Sequence, residues 1–460
     1  MCGIDRVEKV MFISLFMLMT FSILGFLAIY KLARKGFGAV PVDDFALFTC
    51  LCICLYTLLP VISWLLQGGE YLIPVGRLYQ LQPTISEVFT LTLLGVGPIF
   101  GVLMVYFFQR SALVELNSKS RPFYNWWISS KLLFICAVLV IGVYGFQTAI
   151  KLRYGMLGAD SYGETYTQYG ALPSLVAQVL AASRAVFSVC MIVVLTGLVM
   201  RWNSGGKKWL IMIAVFVALS FEVGYSRTQL FYFLLLFYVL YSMFVQPVTS
   251  LTKAALFFLL VLIVFLLLGI RGEGVVSLGV MPLGEFDTVW ANGAMLLRER
   301  DAGSLSVPLS AFSYEFLNFI PSQFLPYEKI DMQNWFLDTY YPSFKSKGGG
   351  LMFGLIAQSI VGFGLAEAVL RGVIVGFISI ELKQIIHKHH SCWSLILFLI
   401  VYLKAYEVVR IGNFSGLFGI LGATLFVILA IRFLVRVLPS KKHLKMIRRE
   451  VRPVNYQLRR

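Results

Sequence analysis

Arginines dominate the chemistry that this sequence offers. Arg227 stands in GYSRTQL, between two apolar runs with almost no loop around it. Arg271 directly follows the apolar run LLLGI and opens RGEG. Lys404 and Arg410 flank the last short turn, with Glu407 between them, and Arg184 lies inside an apolar run as AASRAVF. An ionisable group at membrane depth is expensive and by default marks a function. A guanidinium keeps its charge and donates paired hydrogen bonds from a planar fork, which suits phosphate. Each position also has a plainer role. Arg227 and Arg271 fit as anchors that snorkel to the headgroups, and Arg184 fits as a structural partner of Glu222 or Glu407. An anchor accounts for one arginine; a phosphate-binding hollow accounts for the set.

Carboxylates supply the second ingredient. Glu273, Glu285 and Asp287 cluster in sequence, and Glu315 sits in the aromatic segment SAFSYEFLNFIPSQF. A carboxylate can take a proton from an attacking hydroxyl; a solvated loop acid is the alternative for each. The four histidines are His387, His389, His390 and His443, far in sequence from these acids and from Arg227 and Arg271. There is no H-E-x-x-H, no Walker A sequence and no G-x-S-x-G, which speaks against proteases, ATP-driven pumps and α/β-hydrolases. Cys50, Cys52 and Cys54 do not form a metal site, because helical residues two apart do not share a face. Asp43 and Asp44 read as a helix cap. Gly348, Gly349 and Gly350 form a hinge, a nest of amides or a plain linker.

The elements that position these residues are membrane spans. Of 460 residues, 59% are hydrophobic and 13% are charged, against about 25% charged in soluble domains. Apolar runs of about 20 residues recur from end to end. The fold class expected is all-α and polytopic, with about eleven (ten to twelve) transmembrane helices. They fall near 10–33, 44–67, 88–109, 132–150, 174–200, 209–224, 228–245, 254–270, 351–378, 392–408 and 414–437. A soluble enzyme, a secreted disulfide scaffold and a nucleic-acid-binding domain are excluded. The net charge of +16 is concentrated in short basic loops. Residues 432–460 hold ten Lys/Arg against Glu450, and residues 110–131 hold four against Glu115. Basic loops are retained in the cytoplasm, and these fall in alternate loops. The C-terminus is therefore cytoplasmic, and the opposite loops carry Arg153, Arg227, Arg271 and Arg410 on the outer side. Organisation follows: a first bundle over 1–270, a long outer loop over 271–350, final spans over 351–437 and a basic tail over 438–460. The long loop holds nine acids and six bases. Its segment Ser310 to Phe324 fits either a helix lying on the bilayer surface or a packed cap over the bundle. Apart from Arg184 and Glu367, the charges are expected near span ends.

Four features together resemble the bacterial O-antigen polymerases, the oligosaccharide repeat-unit polymerase family. Ser226-Arg227 opens a span on the outer side. One long outer loop comes late in the chain. That loop carries the proline-punctuated text NFIPSQFLPYEK, from Asn318 to Lys329. The glycines at 348–350 then lead into GLIAQSIVGFGLAEAVLRG, whose GFG at 362–364 is similar to the family's asparagine-Phe-Gly signature. The chain departs from the pattern at Ile330, where the family often has Pro, at Gln358, where Glu is common, and at Gly362, where asparagine is common. The related O-antigen ligases share this layout but typically rely on an external His, which this chain lacks.

The resemblance implies a GT-C-like, metal-independent and cofactor-free glycosyltransferase at the periplasmic face of the inner membrane. Its substrates would be undecaprenyl-diphosphate-linked oligosaccharides, polymerised into O-antigen or a related surface polysaccharide. A chain-length regulator and a flippase would be its partners. Read with the residues, Arg227 and Arg271 would neutralise the leaving diphosphate, and Glu273 or Asp287 would act as base. Arg153, Arg298, Arg300, Lys404 and Arg410 would bind phosphate or sugar. Trp290 and Tyr314 would stack on sugar rings, or serve as interface aromatics. A transporter or flippase is the competing class, and it calls for mid-span charges and discontinuous helices; a non-catalytic assembly scaffold is a third. The topology is directly testable: alkaline phosphatase fused within 271–350 should be active and a fluorescent protein at the C-terminus should fold. The reverse pattern would overturn the orientation.

Overall fold

The computed structural model describes residues 4–37, 44–66, 73–75, 79–109, 128–154, 172–202, 209, 227–245, 285–317, 324, 326, 330–342, 353–389 and 391–437. Within them the chain is helical apart from one short antiparallel hairpin, β1 (Ile73–Val75) and β2 (Tyr79–Leu81), paired Pro74 to Gln80. The helices are α1 (Ile4–Phe37), α2 (Phe45–Leu66), α3 (Ile85–Phe108), α4 (Ser130–Arg153), α5 (Ser174–Val199), α6 (Arg227–Phe244) and α7 (Glu285–Asp301). They continue with α8 (Leu309–Leu317), α9 (Met332–Tyr340), α10 (Leu355–Val361), α11 (Leu365–His389), α12 (Cys392–Ile411) and α13 (Ser415–Val437). Among the described residues, seven helices are long and apolar enough to cross a membrane: Val10–Ala33, Phe45–Leu66, Ile85–Phe108, Ser130–Arg153, Ala182–Val199, Cys392–Ile411 and Ser415–Val435. The chain is thus a helical, multi-pass membrane protein. The expected spans 209–224 and 254–270 lie almost wholly outside the described residues.

Backbone satisfaction explains the helix ends. Thr84 and Glu87 form a capping box at the start of α3, which occupies two orphan donors at once. Ser129 and Ser391 cap α4 and α12 through their hydroxyls. Asp44 accepts the Leu47 N–H at 3.0 Å and so caps α2, as its position in the sequence suggests.

A seam of small residues sets the centre of the bundle. Helices α3 and α11 run parallel, Gly97 facing Ala368, Gly101 facing Val369 and Gly372, and Val105 facing Gly376. A Cβ on Gly372 would lie 2.0 Å from the Pro98 carbonyl oxygen. Only bare backbone permits this approach, the usual basis of helix packing in lipid. One end of the seam is closed by a buried polar knot. Lys383 donates to Asp44, and Tyr106 bonds both Asp44 oxygens, at 2.7 and 2.8 Å. Ser379 donates to Asp44 at 3.0 Å. Asp44 and Lys383 are 0% and 2% exposed as side chains, so Lys383 is a core residue of α11 rather than a loop cation.

Two expectations are corrected. The run 351–378 is not one span. It breaks at Gly362–Gly364 into the short buried α10 and the long α11, with Gly364 at φ +64°. The long loop also does not stay outside the bundle. Its helix α7 packs among α2, α3 and α10, placing Trp290, Ala291, Ala294 and Leu297 in one core with Val61, Trp64, Leu91 and Ile356.

The buried knot yields a stability prediction. Lys383→Met should destabilise the detergent-solubilised protein by about 3–5 kcal/mol, because it strands a buried carboxylate. Adding Asp44→Asn should restore most of the loss, since asparagine caps a helix equally well. Thermal melts of the three proteins check this; equal melting of wild type and Lys383→Met would refute it.

Candidate functional site

Helix α12 presents Lys404, Glu407 and Arg410 as a stripe at three-residue spacing, so their side chains share one face. Lys404 donates its ammonium proton to Glu407 Oε2. The other carboxylate oxygen accepts the Tyr232 hydroxyl of α6 at 2.7 Å. The Arg410 guanidinium lies over the Tyr406 ring, 5.9 Å from its centroid. Tyr56 of α2 donates to the Tyr406 hydroxyl at 3.2 Å, and its ring meets Phe286, in the first turn of α7, at 4.6 Å. Lys404 and Glu407 keep 19% of their side-chain surface, so the stripe is not sealed. Four elements therefore converge on it: α2, α6, the start of α7 and the end of α12.

This convergence gathers the elements of four residues singled out by sequence. Lys404 and Arg410 belong to the stripe itself. Arg227 is the first described residue of α6, five positions before Tyr232, or about 7.5 Å along the helix axis. Asp287 is the neighbour of Phe286 in α7. The side chains of Arg227 and Asp287 lie outside the described residues, as do Arg271 and Glu273 entirely.

Beside the stripe is a second cluster that is fully buried. Arg371 of α11 donates to Glu315 Oε1 and Oε2 at 2.7 Å each, to Glu367 Oε1 from Nε at 2.9 Å and from Nη2 at 2.7 Å, and to the Gly412 carbonyl at 3.2 Å. All five guanidinium N–H groups are thereby used. Glu315 Oε1 also accepts the Phe414 N–H at 2.6 Å, and Glu367 Oε2 accepts the Phe363 N–H at 3.1 Å. Arg371, Glu315 and Glu367 are 5%, 4% and 7% exposed as side chains. One guanidinium thus joins α8, the break between α10 and α11, and the turn between α12 and α13. Gly412 ends α12 in the left-handed region at φ +89°, and a Cβ there would lie 2.3 Å from the Gly354 carbonyl oxygen.

The depth of this cluster matters. Arg371 lies two turns into α11 and bonds the carbonyl of Gly412 at the end of α12. Glu315 is a buried ion-pair partner, not a solvated loop acid. Within the segment from Ser310, Ala311 and Glu315 are buried in α8 and Phe324 is 77% exposed; the side chains of Phe312, Phe316, Phe319 and Ile320, on which the two alternatives turn, lie outside the described residues.

No family model, curated protein or solved structure matches the chain. Its site is accordingly read from its own residues.

The remaining predicted residues scatter. Arg298 bonds Glu87 and the Gln82 carbonyl, clasping α7 to the capped start of α3. Arg300 pairs with Asp301 and is exposed. Arg153 is exposed at the end of α4, and Arg184 is exposed on α5 near Lys151. Trp290 is fully buried in the apolar core of α7, its indole N–H without a partner among the described residues. Its ring is committed to that core and does not face a sugar. Tyr314 is half-buried, and burial together with Asp331 pushes its phenol up.

Sequence reasoning marked Glu367 only as a mid-span charge and missed its partner Arg371; the signal is a Glu and an Arg four apart within an apolar, glycine-rich run. Such a pair survives in a span only by facing protein. It also missed Asp331, which occupies the N-cap position of α9 and meets the side chain of Asn413 in the α12–α13 turn. Burial raises the Asp331 carboxyl above its ordinary range. Folding therefore favours the protonated form, and this contribution is full below about 3.8 and lost as pH rises through the raised folded value. Asp331→Asn should melt higher than wild type at pH 8, with the gain vanishing near pH 4. Melting curves across that range test it; a gain independent of pH would refute it.

Proposed function

We propose that this chain is a glycosyltransferase that polymerises undecaprenyl-diphosphate-linked oligosaccharide repeat units at the periplasmic face of a bacterial inner membrane. The observation that carries the reading is the Lys404–Glu407–Arg410 stripe at the meeting of α2, α6, α7 and α12. In this reading the architecture is GT-C-like, with eleven spans, a cytoplasmic C-terminus and residues 271–350 outside. The resemblance of the 226–372 text to the O-antigen polymerases supports it. So does the position of the GFG text at a genuine helix break.

The chemistry is a substitution at an anomeric carbon. The bond from that carbon to the diphosphate oxygen breaks, and its electron pair leaves with the lipid diphosphate. A new bond forms to the acceptor hydroxyl, whose proton passes to a carboxylate. Developing charge on the leaving group calls for preorganised cations, the proposed task of Arg227, Arg271, Lys404 and Arg410. Glu407 holds Lys404 and Tyr232 in place. Asp287 or Glu273 takes the proton. A chain-length regulator and a flippase supply and measure the substrate.

Two observations favour a second reading, transport of a lipid-linked glycan. Helix α10 is discontinuous with α11 and buried charge lies deep in the bundle, both features of transporters. Purified protein in proteoliposomes with lipid-linked repeat units separates the two. Polymerisation gives a ladder of products on gels; transport gives labelled lipid moved across the bilayer with no ladder. Arg410→Lys, which keeps charge but loses the fork, should lower polymer formation by about a hundredfold at normal membrane levels. An unchanged ladder from this variant would remove Arg410 from the site.

A further inference from the structure

Glu315 belongs to the long loop, yet its carboxylate is bonded inside the bundle. It takes two bonds from Arg371 and one from the Phe414 N–H. Arg371 in turn bonds the carbonyl of Gly412, the residue that ends α12. Arg410 lies two residues before Gly412, and Glu407 one turn before Arg410. Phe414 itself lies 5.7 Å under the Arg371 guanidinium. The docking of α8 and the closing of the α12–α13 turn therefore share one carboxylate and one guanidinium. Neither partner has another set of bonds ready: the guanidinium is saturated, and Phe414 N–H has no other acceptor among the bonds described.

We propose that Glu315 and Arg371 are positioning residues that make the docking of α8 and the placement of the α12 stripe a single event. When α8 seats, Glu315 fixes Phe414 and orients Arg371, which fixes Gly412 and with it the last turns of α12. When α8 lifts, both the turn and the stripe lose their anchor. Helix α8 is thus a strap that assembles the site as it seats. Its effect on turnover rests on the glycosyl-transfer reading; the coupling of the two segments does not.

Hydrogen–deuterium exchange on the full-length protein in nanodiscs tests the coupling. In Glu315→Gln, amides of 309–317 and of 412–414 should both exchange faster, by about tenfold or more, the factor expected for losing a hydrogen bond to a charged group. The inner ends of α3 and α11, around Tyr106 and Ser379, should be unchanged. Faster exchange in 309–317 alone would overturn the proposal, and so would a uniform rise across the bundle. If Glu315→Gln fails to accumulate, Glu315→Asp retains the charge but withdraws the carboxylate by one methylene, and the same pair of segments is read. In turnover, fewer assembled molecules raise the apparent KM several-fold while saturating substrate restores kcat. A fall in kcat alone, with coupled exchange intact, would leave the strap standing and place Glu315 in the chemistry instead.

Discussion

A charge inside a membrane bundle is tolerated only when every one of its hydrogen-bonding groups is met. Arg371 obeys this with no donor to spare, and the elements around it are arranged to comply. Two carboxylates come from different parts of the chain, one from its own helix and one from a loop helix 56 residues earlier. A carbonyl comes from the end of α12, and backbone amides of the helix break and the following turn complete the carboxylates. Remove the requirement, and nothing would oblige α8 to enter the bundle or α10 to stop where it does.

The helix break has the same logic. Glu367 sits in the first turn of α11, where the helix dipole favours a negative charge. It reaches back to the Phe363 N–H, which the break has freed from helical bonding. Gly362 makes the room, since a Cβ there would lie 1.6 Å from the Glu367 carboxylate, and Gly364 turns the chain at φ +64°. So a feature that looks like a sequence signature in GFG is, physically, a socket for one carboxylate.

Much of the fold was legible in the sequence. Apolar runs located α1 to α5, α12 and α13, because continuous hydrophobicity of that length has few other outcomes. Asp44 as a cap was within reach. The break at 362–364 was not, since hydropathy averages over a window and α10 and α11 are both apolar. Site legibility divided along similar lines. The stripe of Lys404 and Arg410 was visible because it flanks a turn. Arg371 and Glu315 were not paired in advance, because they are far apart in the chain and each reads alone as an ordinary loop or span-end charge. Trp290 misled for a related reason: a tryptophan in a polar loop suggests a ligand platform, until that loop proves to fold into the core.

The Asp44–Lys383 knot bears on how the protein is made. Its two halves are 339 residues apart. At about 5–20 residues per second, a ribosome reaches Lys383 roughly 20 to 70 s after Asp44. Throughout that interval the aspartate lacks the Lys383 ammonium, and burying it unpaired would be costly. Sealing Asp44 between α2 and α3 therefore favours a late step, after α11 has been made. A ribosome that stalls before residue 383 would release a fragment in which Asp44 still lacks the cation that its burial requires.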